Sequence, residues 1–188
     1  MPQREKKLKH GTGWRTMNDR YLFKAKRVDN GEWVQGVPFE IEGKTVILIK
    51  DNENLLRTHY LEENMWTAEI YAIEVDPSTI CQCTDLKDKY GKLIWENDIV
   101  ELLGHRGVIK FTCGGFGIGY RKNIDWEEIQ ANIMRITGCE NILYACENDN
   151  YISLWEIYWN FNDEDDSVNT VEVIGNIFDN PDLLEMEV

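Results

Sequence analysis

Residues 84–111 read TDLKDKYGKLIWENDIVELLGHRGVIKF. A polar, turn-rich run ending in Trp95-Glu96-Asn97-Asp98 leads straight into the apolar stretch Ile99–Leu103. Asp88-Lys89-Tyr90-Gly91 is a turn signal, because an Asp side chain can accept backbone N–H groups and Gly takes positive φ cheaply. Lys92–Trp95 then reads as a short strand, Glu96-Asn97-Asp98 as a second turn and 99–103 as a strand. Gly104-His105-Arg106-Gly107 turns the chain into 108–112, and Cys113-Gly114-Gly115 turns it into 116–120. Glycines 115, 117 and 119 alternate, which leaves one strand face bare and allows a close backbone approach or a sharp bend. The expectation is two strongly bent strands of a small barrel.

Outward from this stretch the same signals recur. Tyr21–Val28 alternates as a half-buried strand. Asp29-Asn30-Gly31 is a hairpin turn, with a return strand over 32–39. Residues 41–44 turn and 45–50 form a further strand, so 20–50 reads as an antiparallel meander. Residues 51–66 are polar and turn-like. A strand over 68–75 stops at Asp76-Pro77, and 78–83 is a short extended piece. Towards the C-terminus, 124–135 has helical spacing with Asp125 as N-cap and Arg135 near the end. Residues 151–161 fit a strand or a helix, 163–166 an exposed acidic loop, 171–178 a strand, and 180–185 a short helix opened by Asn180 and Pro181. The fold class expected is mainly β: an antiparallel meander plus a small barrel, with one or two short helices. Three segments follow: a flexible basic arm over 1–19, a meander over 20–83, and a barrel region over 84–188 packed with it as one unit.

The chain has 188 residues, enough to bury a core. The longest apolar run, Val46–Ile49, is far short of the roughly 18 residues of a membrane span, and the basic start lacks the apolar region of a secretory signal. A cytoplasmic chain without membrane contact is expected. Five cysteines, an odd number, argue against a disulfide scaffold and for reduced, buried thiols. Charge is uneven: residues 1–27 carry +7 and the remainder −21, for a total of −14. So acidic a body repels a phosphate backbone. The basic arm, with Lys6, Lys7, Lys9 and Arg15, therefore either touches nucleic acid or another acidic surface, or lies solvated against its own body; the last is favoured.

Three further features are similar to one known family. Residues 84–100 resemble the T-G-L-K-D-K-N-G-K-x-I-[YF]-E-G-D-I-V signature of the YopX family of phage and prophage proteins. Residues 173–184 resemble its closing I-G-N-I-Y-E-N-P-E-L-L, and Gly31–Gly36 its early G-x-W-V-x-G. The resemblance spans residues 20–185 in order, leaving 1–19 and much of 124–170 uncovered. It implies a mostly β fold with an SH3-like barrel in its C-terminal part, phage or prophage origin, and an accessory role without a stated activity. Where the family has Gly, this chain has Asp85 and Asn97, two residues that tolerate left-handed backbone. The exchange points to turn-making at these positions.

Thr84, Asp85, Leu86, Asp88, Gly91, Glu96, Asn97 and Asp98 are accordingly expected to be a structural turn motif. The competing reading, a carboxylate cluster for Mg²⁺ or acid–base work, is less favoured. His59 and His105 have no partner at diagnostic spacing, and Gly114–Gly119 lacks the helix and acid of a dinucleotide loop. No catalytic residue, metal or cofactor is expected. Trp155, Tyr158 and Trp159, in an aromatic segment bounded by acids, are the candidates for recognition if they are exposed together. The function expected is a non-enzymatic protein-interaction module, binding a protein partner or itself. The alternative is a nucleic-acid-associated protein that uses the basic arm.

Overall fold

The computed structural model describes residues 21–49, 57–62, 65–69, 71–112, 114–120, 125–137, 150–161, 167–168 and 170–185. The basic arm and the acidic run 163–166 lie outside the described residues. The chain is mainly β. Its first sheet begins with β1 (Phe23–Lys26), β2 (Trp33–Ile41) and β3 (Lys44–Leu48). Asp29-Asn30-Gly31 makes the first hairpin, with Gly31 at φ +73° and the Asn30 side chain accepting from Glu32 N at 2.9 Å. The second hairpin turns at Glu42 and Gly43, both at positive φ.

β2 serves two partners: Trp33–Gly36 pair with β1, and Val37–Ile41 with β3. Gly36 sits at the handover. A Cβ there would lie 2.1 Å from Leu48 O, so only glycine lets the strands close up. β6 (Ala72–Glu74) pairs with β3. The sheet then curls until the end of β6 meets the end of β1, through a bridge between Arg27 and Val75 and through Asp76 N donating to Lys26 O at 2.8 Å. The curl encloses Ala25, Ile47 and Val75, packed by Phe23, Val34, Ile49, Ile73 and Ile80.

Between β3 and β6 the segment expected to be turn-like contains a hairpin, β4 (Arg57–Glu62) with β5 (Met65–Glu69). Its sequence has no apolar alternation to betray a strand. The strand expected over 68–75 is divided between β5 and β6. A 3₁₀ turn at Pro77–Thr79, capped by Asp76 accepting from Ser78 N, leads into β7 (Cys81–Asp88). β7 runs across residues 83 and 84. It pairs antiparallel with β1 and with β8 (Leu93–Trp95), and parallel with β13 (Ser167–Val168).

The second sheet has the order β12-β11-β10-β9-β14. Its strands are β9 (Asp98–Leu102), β10 (His105–Thr112), β11 (Gly115–Gly119), β12 (Tyr151–Ser153) and β14 (Val171–Asn176). All its pairings are antiparallel. The expected SH3-like barrel is corrected here: the sheet is open, and β12 and β14 stand at opposite edges. The reason is α2 (Leu154–Phe161). It packs on β11 and puts Leu154 and Ile157 into one cluster with Val100, Leu102, Ile109, Ile118, Ile152 and Val171, so a helix covers the apolar face that a closing sheet would have had to cover. Of the alternating glycines, Gly117 serves close approach, since a Cβ there would lie 2.2 Å from the Tyr151 ring, whereas one on Gly115 would meet nothing within 4 Å.

Residues 151–161, readable as strand or helix, are both in turn. α1 (Trp126–Thr137) starts where expected, with Asp125 Oδ1 accepting from Glu127 N and Glu128 N at 3.1 and 3.2 Å. The final turn, Pro181–Leu184, is a 3₁₀ helix, and Asn180 makes no cap bond; its Oδ1 accepts from Asn176 N instead.

Candidate functional site

The turn motif 84–98 lies where the two sheets meet. Thr84 Oγ1 donates to Ile94 O at 2.8 Å and accepts from Leu86 N at 3.2 Å, tying β7 to β8. Asp85 and Asn97 both sit at φ +64°. Leu86 packs against the second sheet's core. Asp88 is 1 % exposed. Its Oδ1 accepts from Tyr90 N and Lys92 N, each at 2.9 Å, and its Oδ2 from Val173 N at 3.1 Å. Gly91, at φ +81°, closes this turn by donating to Asp88 O at 2.9 Å.

Asp98 is equally buried. Its Oδ2 accepts from Trp95 N at 2.9 Å; its Oδ1 accepts from Lys24 Nζ at 2.7 Å and Asn176 Nδ2 at 3.0 Å. Glu96 N donates to Gln82 O, Asn97 N to Ile109 O, and Ile177 N to Asn97 O. Each buried carboxylate thus binds its own turn and also β14, some 80 residues on. Saturating a buried carboxylate with N–H donors is what makes its burial tolerable. Both oxygens of each acid accept such bonds inside the fold. Among the described residues no three of His, Cys, Asp and Glu come together as a metal site.

Around Asp98 lies a joint the sequence reading did not single out. Lys24 and Lys26 point to one face of β1, as residues two apart on a strand must. Lys24 Nζ lies 5.0 Å from the Trp33 ring centroid and 5.3 Å from that of Trp95, within cation–π range. Lys26 pairs with Asp179, which also accepts from Trp33 Nε1 at 2.7 Å, and Phe178 packs on Trp33. Partial burial pushes the Asp179 carboxyl up, but the bonds from Lys26 and Trp33 outweigh it and hold the group below its ordinary range. The alternation of Lys24 and Lys26 was legible in the sequence; their acidic partners, 74 and 153 residues away, were not. Nearby, burial pushes the Cys81 thiol up to about 11, against the pull of Asn97 Nδ2 at 3.7 Å from its sulfur. Cys83 is buried too; Cys113, Cys139 and Cys146 lie outside the described residues.

On α2, Trp155 is 57 % exposed and stacks on Tyr158, with ring centroids 5.7 Å apart and planes 17° apart. Tyr158 is half-buried against the second sheet's core and so anchors the stack. The Trp159 side chain and the arm residues Lys6, Lys7, Lys9 and Arg15 lie outside the described residues.

Compared with known families, the profile of the YopX protein family matches residues 22–185. The chain belongs to the YopX family. Among solved structures it is similar to the crystal structure of protein EF1440 from Enterococcus faecalis, at 22 % identity over 86 % of this chain and 96 % of that one, with a TM-score of 0.39. Among curated proteins nothing matches. In this YopX-family chain the two positions where the signature has glycine, Asp85 and Asn97, are both left-handed. Of Thr84, Asp85, Leu86, Asp88, Gly91, Glu96, Asn97 and Asp98, the side chains of Thr84, Asp88 and Asp98 bind backbone groups, Asp85, Gly91 and Asn97 supply positive φ, and Leu86 packs on the core. The structure sets Trp155 and Tyr158 apart from them, on α2. No helix among the described residues is long and apolar enough to cross a membrane.

Proposed function

We propose that this YopX-family chain is a non-enzymatic protein-interaction module, an accessory protein of phage or prophage origin working in the cytoplasm of a bacterial host. The carrying observation is the Trp155–Tyr158 stack: a large indole more than half exposed yet held in place by a ring anchored in the core. Rigid aromatic anchors of this kind dominate the energetics of protein interfaces, because they bring large contact area at low entropic cost. The buried acids support the reading from the other side, since their lone pairs are already committed to backbone N–H groups.

The test is quantitative capture from host cells with the wild type and Trp155→Ala, followed by rebinding of the purified partner. Losing an exposed anchor of this size costs a bound complex about 2 kcal/mol or more. A partner bound at least tenfold more weakly by Trp155→Ala, with an unchanged melting curve, is the expected result. Equal binding by both proteins would refute it.

A further inference from the structure

The first sheet is apolar on both of its faces. Its inner face holds Ala25, Ile47 and Val75. Ile47 pairs with Pro38 on β2 and with Ile73 on β6. By strand alternation Val46 and Leu48 therefore face outwards, together with Val37, Phe39 and Ile41 of β2 and Ala72 of β6. An antiparallel sheet that meets water on one face carries polar residues there. Here β2 instead exposes Val37 by 41 %, Phe39 by 58 % and Ile41 by 42 %, in one row two residues apart. Leu48, opposite Val37, is half-buried, Val46, opposite Phe39, is buried, and Ala72, opposite Leu48, is exposed. These side chains leave about 300 Å² of contiguous apolar surface, the size at which a patch marks an interaction site.

Charge narrows what covers it. Among the described residues of this outer face on β2, β3 and β6, the ionised groups are Lys44, opposite Ile41, and Glu74, opposite Val46. They bond each other at 2.7 Å. A face neutralised in this way does not steer a partner of either charge, and a chain of net charge −14 is repelled by nucleic acid and acidic lipid. A second copy meets these conditions. Under a two-fold axis the row of Val37, Phe39 and Ile41 lies on the same face of its counterpart, as two sheets pack about 10 Å apart in a sandwich. Lys44 and Glu74 put both signs at the rim, so each can exchange its own partner for the other copy's. Interfaces of ordinary size bury about 800 Å² per copy. The apolar patch is thus the centre of such a contact, and its modest area fits a reversible dimer with a Kd on the order of 10 µM.

We propose that this chain self-associates through the outer face of β2 and β3, with Phe39 as the anchor. The contact does not draw on the Trp155–Tyr158 stack, which belongs to α2 and the second sheet.

The test is analytical ultracentrifugation of the full chain from about 1 to 300 µM. The weight-average mass should rise from 22.1 kDa towards twice that value. Phe39→Ser should weaken the association at least tenfold. Val37→Thr combined with Ile41→Thr, which keeps Phe39, should weaken it about threefold or more, and it decides the matter if Phe39→Ser lowers the melting temperature. Raising salt from about 0.05 to 0.5 M should tighten the dimer, because it screens the repulsion between two acidic copies. Trp155→Ala should leave it unchanged. A wild type that stays at 22.1 kDa throughout would overturn the proposal. So would association equal in the wild type and the β2 variants, association that weakens with salt, or association lost in Trp155→Ala. Capture of a partner through Trp155 reads a different surface, so either proposal can fail while the other stands.

Discussion

Replacing Asp98 by Ala should be among the most destabilising single changes in the chain. The carboxylate side chain is 2 % exposed and its partner Lys24 only 13 %. Removing one member of a buried ion pair leaves the other charged and uncompensated, at about 3–5 kcal/mol. The indoles of Trp33 and Trp95 beside the Lys24 ammonium return about 1 kcal/mol of that. Trp95 N–H and Asn176 Nδ2 also lose their acceptor, for about 1–3 kcal/mol each where water does not replace it. The expected net loss is about 4 kcal/mol or more, which for a chain of this size lowers Tm by about 8 °C at least. Urea unfolding followed by tryptophan fluorescence measures it, since Trp33 and Trp95 both line the joint. A double-mutant cycle with Lys24→Met isolates the pair: the double variant should be less damaged than the two single losses summed, by about 2 kcal/mol or more. A loss below about 1 kcal/mol for Asp98→Ala, or simple additivity in the cycle, would refute the joint.

Asp85→Gly should leave stability within about 0.5 kcal/mol of wild type, whereas Asp85→Val, forced to φ +64°, should lose about 1–2 kcal/mol in the same assay. Gly36→Ala sets a methyl against Leu48 O and should cost about 2 kcal/mol or more, or leave the first sheet unfolded by circular dichroism. At pH 8 the Cys81 thiol, held at about 11, should react with iodoacetamide about a hundredfold more slowly in the native chain than in the urea-unfolded one, read by peptide mapping. The unfolded thiol ionises at lower pH than the folded one. The stability contributed by this group is therefore complete below about pH 9 and lost as pH climbs towards 11. A fall in the urea midpoint across that window that is absent in Cys81→Ala checks the sign.

Local signals survived the passage from sequence to structure where the physics was local. Asn30-Gly31, the Asp125 cap and the Asp88 turn depend on hydrogen bonds spanning two to four residues, and each is where its sequence places it. Asp85 and Asn97 could be read as left-handed only because glycine stands at those points of the family signature. What failed was non-local. The open second sheet depends on Leu154 and Ile157 arriving from α2 to cover it, and an apolar run that is strand for three residues and helix for eight has no single period to detect. In the β4–β5 hairpin the apolar residues stand side by side, Tyr60 with Leu61 and Met65 with Trp66, so an apolar pattern finds no alternation there. The Asp88 and Asp98 carboxylates were legible as turn-formers but not as ties to β14, because nothing near them in sequence announces Val173 or Asn176.

Amide hydrogen exchange on the wild type and Asp88→Ala tests the claim that this acid holds backbone together. The amides of Tyr90 and Lys92, in its own turn, and of Val173, across the sheets, should be protected in the wild type and should all lose protection in the variant. Protection of Val173 unchanged in Asp88→Ala would contradict it.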